Sequence, residues 1–293
     1  MAIKWSNDLL RILRRLGVGF VFGAIFFSLT GIAHAADAAR ARYTLAIVPY
    51  QLPLTAHKDW IPVAKYLSER VGADIELRVY RSFPSFETEL FQGVPDFAFI
   101  NPYHQVMAHR RHGYIPLVRS NENLQGILVV PRDAPVRSVK DLEGKAIVFP
   151  SPNAFAASLY LRAILTEREK IRFTPVYLDS HNEVYHHVAL GQAAAGGGVR
   201  GTLTQESPRV QEQVRVLFET PAMVSHPLTA HPRVPVNIRA AVAKALLDLG
   251  MQPNGKQMLE RIQLDSPVAA DQKRDYQPLE QLHLEKYVAL PQQ

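Results

Sequence analysis

From Tyr43 onward, short β-rich runs alternate with apolar residues at helical spacing, and at Ala146 the alternation begins again. No other feature of the chain narrows its fold so far. Residues 43–48 read as a strand ended by Pro49, and 50–55 as a loop. Trp60, Val63, Ala64, Leu67 and Val71 then fall on one helical face. Residues 73–80 alternate as a strand, 83–91 form a short helix, and 97–100 a buried strand. Asn101-Pro102 opens the next helix, because Asn suits the cap and Pro the first helical position. Strands follow at 114–118 and 126–130. The second block runs strand 146–149, helix 153–169, strand 174–178, helix 182–190 and strand 215–218. Residues 235–290 are largely helical, with a break at Pro253-Asn254-Gly255.

Such alternation predicts an α/β fold with mainly parallel sheets and a helical C-terminal part. Two blocks predict two lobes: 43–125 plus 225–293, and 126–224. The hinge crossings fall near 122–132 and 218–228. Ligands of open α/β sheets lie beyond the carboxyl ends of strands, at helix starts. Three turns have that form: Pro49-Tyr50-Gln51, Asn101-Pro102-Tyr103 and Ser151-Pro152-Asn153-Ala154. Helix starts offer free N–H donors and partial positive charge, so an anion is the natural guest.

The first 35 residues read as an address. Lys4, Arg11, Arg14 and Arg15 precede the uncharged run 16–29, and Ala33-His34-Ala35 supplies a small-x-small cleavage site. A cleaved secretory signal and a periplasmic location are expected; the alternative is an uncleaved membrane anchor with the remainder outside the cytoplasm. The formal charge of +6 falls to +3 without this segment. The remaining charges are scattered, so no nucleic-acid surface is expected. The chain has no cysteine, which excludes disulfides, thiolate catalysis, a lipoprotein anchor and cysteine-based metal sites.

Further segments carry a resemblance. Asp96-Phe97-Ala98-Phe99-Ile100-Asn101-Pro102-Tyr103, Val139-Lys140-Asp141-Leu142-Glu143-Gly144-Lys145, Ser180-His181-Asn182-Glu183, and Val188-Ala189-Leu190-Gly191 followed by 193–199 are similar to segments of the phosphate/phosphite/phosphonate-type periplasmic substrate-binding proteins of ABC importers. The resemblance implies the two-lobe, type II (Venus-flytrap) periplasmic-binding-protein architecture. It also implies an anionic small molecule held by Tyr103, His181 and a Ser-Thr-Ser run. Here that run reads Ala154-Phe155-Ala156, so three hydroxyl donors are missing and the turn is left with its backbone amides. The family's acidic position before residues 193–199 is missing too, and Arg200 is a candidate for a replacing positive charge.

The candidate ligand residues are therefore Tyr50, Gln51, Asn101, Tyr103, Asn153, Ala154, Phe155, Ala156, Ser180, His181 and Arg200. Gly196-Gly197-Gly198 lacks the lysine and spacing of a phosphate loop and reads as close backbone approach. His104, His109 and His112 lack a carboxylate to complete a metal set. No catalytic motif appears. The expectation is a monomeric binding protein, not an enzyme, with no cofactor or metal. Its partner is a membrane ABC permease, or alternatively the outer domain of a sensor kinase.

Overall fold

The computed structural model describes residues 40–289. Two sheets organise the chain. In the first, β1 (Arg42–Ile47) lies parallel to β2 (Asp74–Val79) on one side and to β3 (Phe97–Phe99) on the other, with Leu45 opposite both Leu77 and Phe97. Helix α1 (Pro53–Val71) makes the crossover. It buries Ala56, Trp60, Val63, Ala64 and Leu67 and ends at Gly72, whose positive φ of 69° closes the last turn. Helix α2 (Phe83–Phe91) precedes β3, and α3 (Pro102–His112) follows it. Strand β4 (Ile115–Ser120) completes this block, and β10 (Pro227–Ala230) and β11 (Pro267–Ala269) return to give the order β11-β4-β10-β3-β1-β2.

The second sheet has the order β7-β6-β8-β5-β9, from β5 (Gly126–Pro131), β6 (Ala146–Phe149), β7 (Thr174–Tyr177), β8 (Ala195–Val199) and β9 (Val214–Glu219). Helix α4 opens on a wide π-type turn over Phe155–Leu159. It continues through Tyr160–Ala163 and closes on a second wide turn over Ile164–Arg168. Helices α5 (His181–Ala189), α6 (Arg200–Thr204) and α7 (Pro208–Gln213) complete this half, and α8 (Val236–Gly250) and α9 (Pro253–Arg261) pack on the first.

The sheets are mixed, which corrects the mainly parallel expectation. Strands β1, β2 and β3 are parallel, as are β7, β6 and β8, but β10 pairs antiparallel with β3 and β4, β11 with β4, and β5 with β8 and β9. Helical crossovers produce the parallel pairs. Most of the antiparallel ones arise where the chain passes from one sheet to the other and back, and the β11–β4 pair where the chain returns after α9. Those two passages touch: Leu124 N donates to Met223 O at 2.8 Å, and Met223 N to Leu124 O at 2.9 Å.

The glycine-rich β8 shows why small residues sit there. A methyl group on Gly197 would lie 2.1 Å from Ala157 O, and one on Gly198 would lie 2.2 Å from Tyr185 Oη. This is the close backbone approach expected of the Gly196-Gly197-Gly198 run, and it seats α4 and α5 directly on the sheet. The first lobe's apolar core, around Trp60, Phe97 and Phe99, does not stop at its own boundary. Ala154, Phe155, Ala156 and Leu159 of α4 pack into the same cluster.

Candidate functional site

The strand-to-helix turns from the two sheets face one cleft, divided into three spaces. The outer cavity has a volume of about 490 Å³. The first lobe lines it with Tyr50, Gln51, Thr55, Lys58 and Asp59 from the start of α1, and with Arg261 from the end of α9. The second lobe supplies His181 and Asn182 from the start of α5, and Thr202, Gln205 and Glu206 from α6 and the turn after it. Behind it lies a throat of about 20 Å³, bounded by Val48, Asn101, Ala154 to Ala157, His226 and Gln263. That volume admits roughly one water molecule. An inner cavity of about 200 Å³ follows, beside the paired crossings, with Glu122, Gln125, Arg200, Ser225 and Asp265 among its walls.

The throat is lined by polar side chains but by no acidic or basic ones other than the histidines His181 and His226. Burial lowers the His181 imidazole to a pKa of about 4. His226 is lowered to about 3 by burial and by the neighbouring His104 and His181 rings, and it stacks on Phe99 with centroids 5.5 Å apart. Burial raises the Tyr50 phenol above its ordinary value; its oxygen accepts from Trp60 Nε1 at 3.4 Å. The amide nitrogens of Gln51 and Gln263 are buried without a hydrogen-bond partner. Lys58 and Arg261 bring positive charge to the outer cavity, and Asp59 and Glu206 negative charge. Glu206 accepts from Asn182 Nδ2 at 2.6 Å and lies 3.5 Å from His186 Nε2.

The sequence candidates divide. Tyr50, Gln51 and His181 line the outer cavity, and Asn101, Ala154, Phe155 and Ala156 the throat. Ser180 caps α5, accepting from Glu183 N at 3.1 Å. Asn101 caps α3, accepting from His104 N at 2.7 Å. Helix α4 has no side-chain cap, as a start reading Ala154-Phe155-Ala156 dictates.

Three candidates lie away from these spaces or are engaged by other groups. Tyr103 borders none of these three spaces. Its hydroxyl is buried without a partner, and its pKa is pushed up to about 12 by burial and by Glu285, with Arg110 opposing. Asn153 is committed to Glu87 and Ala289 through its side chain. Arg200 reaches the inner cavity but is ion-paired with Glu219. Each of the three histidines of α3 has its own partner: His104 pairs with Glu87, His109 with Tyr114 O, and His112 with Phe91 O.

Sequence reasoning missed Lys58, Asp59, Asn182, Thr202, Gln205, Glu206, His226, Arg261 and Gln263. Thr202 was within reach, since β8 running into α6 is a fourth strand-to-helix turn. Arg261 and Gln263 carried no local signal, because the return of the C-terminal part brings them to the cleft. Gln263 does hold a left-handed backbone, with φ 58°, an uncommon state for a residue with a side chain.

Comparisons with known proteins address the family and the fold. A family described as "ABC transporter, phosphonate, periplasmic substrate-binding protein" matches residues 45–276. The binding-protein component of an ABC phosphonate transporter from Pseudomonas aeruginosa superposes with a TM-score of 0.75 at 14% identity, over 83% of this chain and 86% of that one. A Prochlorococcus marinus protein solved with methylphosphonate also gives 0.75, at 16% identity, over 82% of this chain and 96% of that one. A Xanthomonas citri protein solved with chloride gives 0.70 at 15% identity, covering 84% and 99%. At such identities these structures speak for the fold, the type II two-lobe arrangement. No curated protein sequence matches the chain. Among the described residues no helix is long and apolar enough to cross a membrane. With the profile of that family spanning both sheets, the chain belongs to the phosphonate-type periplasmic substrate-binding proteins of ABC transporters.

Proposed function

We propose that this protein captures a small oxyanion between its lobes in the periplasm and presents it to an ABC permease, without chemistry on the solute. The observation that carries the reading is the outer cavity of about 490 Å³, walled from one lobe by the start of α1 and from the other by the start of α5. Helix starts favour anions through free N–H groups and the helix dipole. Neutral donors from Gln51, His181, Asn182 and Thr202 add hydrogen bonds, and Lys58 and Arg261 add charge at the rim. Hydrogen bonds to charged groups contribute about 1.5–3 kcal/mol each.

The bound solute occupies the outer cavity, not the throat. At about 20 Å³ the throat is too small for a tetrahedral oxyanion, and Phe155 and its alanine neighbours line it.

A thermal-shift screen over phosphate, phosphite, methylphosphonate, longer alkylphosphonates, alkylsulfonates and small carboxylates tests the reading. At a concentration one hundred times Kd, a ligand stabilises by about 2.7 kcal/mol, which is a clear rise in Tm. At least one oxyanion should produce it, and His181→Ala should abolish it. A flat response to every member of the panel would sink the proposal.

A further inference from the structure

The lobes are joined by more than the paired crossings. Asn153, just before α4 in the second lobe, donates from Nδ2 to Glu87 Oε2 of the first lobe at 3.0 Å. The same amide donates to Ala289 O at 2.6 Å and accepts from Ala289 N at 3.0 Å. Asn101 Nδ2, again from the first lobe, donates to the main-chain oxygen of Asn153 at 3.0 Å. Glu87 also holds His104 Nε2 at 2.8 Å. Glu87, Asn101, His104 and Asn153 are all buried.

The segment leading to Ala289 runs from one lobe to the other. Leu279 and Leu284 are buried in the first lobe's core, and Glu280 and Glu285 lie 3.4 and 3.6 Å from Arg110 of α3. A few residues later the contacts are with the second lobe. Lys286 pairs with Glu167 at 2.8 Å, and Tyr287 O accepts from Arg162 Nη2, also at 2.8 Å. Arg162 is buried and, among the described residues, meets no carboxylate; its other acceptors are Ser158 Oγ and Pro152 O. The strap carbonyl is therefore one of few groups answering a buried positive charge. Beside it, Phe155 and its alanine neighbours press an apolar surface into the first lobe's core.

Opening the lobes at this edge would strip Asn153, Glu87 and Arg162 of buried partners and wet the Phe155 contact. Unpaired buried polar groups and newly wetted apolar surface both oppose such a step. We propose that residues 284–289 are a strap, with Asn153 as its clasp, that biases the two lobes toward the closed arrangement independently of any solute. A protein balanced this way opens only as a minor population, and solute binding adds to a bias already present.

The experiment needs no ligand, so its outcome is separate from that of the oxyanion reading. The chain lacks cysteine, so Leu54→Cys in the first lobe and Leu190→Cys in the second, both exposed, give a unique label pair. Pulsed electron-spin distance measurement is made on the full chain, on a chain ending at His283, and on Asn153→Ala, with folding checked by circular dichroism. The full chain should give one narrow distance distribution. Truncation and Asn153→Ala should move it to longer distances and broaden it. Should truncation unfold the protein, Ala289→Pro replaces it. That change deletes the N–H that meets Asn153 Oδ1, while Val288 is already extended, as a residue before proline must be. An unchanged distribution in the folded variants overturns the strap.

Discussion

The side-chain amide of Asn101 donates to the main-chain oxygen of Asn153 at 3.0 Å, tying the turn after β3 to the turn after β6. Both turns were read from sequence as ligand walls, and they do meet at the throat. They meet each other there. The polar groups of this contact bond to each other across the lobes, while Tyr50, Gln51 and His181 line the outer cavity of about 490 Å³.

Tyr103→Phe should leave stability unchanged or raise it by up to about 1 kcal/mol, because the hydroxyl it removes is buried without a partner. Urea unfolding of the two proteins at neutral pH measures this. A loss above 1 kcal/mol would mean that the hydroxyl has a partner after all.

Stability should fall on mild acidification. His181 has a pKa of about 4 when folded, against an ordinary 6.5. Below pH 6.5 the unfolded chain binds a proton that the folded chain refuses until about pH 4. The contribution is therefore complete above pH 6.5 and is lost as pH drops through that window, by roughly 3 kcal/mol in all. His226, lowered to about 3, acts in the same direction. Urea midpoints at pH 7, 6 and 5 should decline more steeply for the unmodified chain than for His181→Gln.

Two glycines close in sequence should respond oppositely to alanine. At Gly197 the added carbon meets Ala157 O at 2.1 Å and Phe149 Cδ1 at 2.5 Å, and overpacking of this kind costs about 1–3 kcal/mol. At Gly201, in α6, the nearest atom is Gln263 Cδ at 4.0 Å, so the helix gains up to about 1 kcal/mol. Thermal unfolding of the two variants should show Tm moving down for the first and up for the second.

Asp96 joins three segments of the first lobe. Its carboxylate accepts from Thr44 N at 2.9 Å, from Thr44 Oγ1 at 3.1 Å and from Arg233 Nε at 2.7 Å. Asp96→Ala should cost about 2 kcal/mol, since it strands part-buried donors of Thr44 on β1 and removes an exposed ion pair to Arg233. Chemical denaturation measures the loss, and Thr44→Val should recover part of it in the double variant.

The α/β class, most strand and helix positions, the cap at Asn101 and the packing role of Gly196-Gly197-Gly198 followed from sequence alone. Each rests on a local rule: side-chain periodicity, cap chemistry or the space a Cβ needs. Local rules also put Tyr50, Gln51 and His181 at strand-to-helix turns, and these three line the outer cavity. They could not say which face of a turn a side chain takes. Tyr103 turns from the cleft and Asn153 turns to Glu87, because buried packing and buried polar partners decide orientation. Strands β10 and β11 and residues Arg261 and Gln263 reach their places by long returns of the chain, so sheet direction and the far wall of the cavity were decided only by the tertiary fold. Short-range sequence patterns carry no information about contacts between residues fifty or more positions apart, and such contacts join the two lobes.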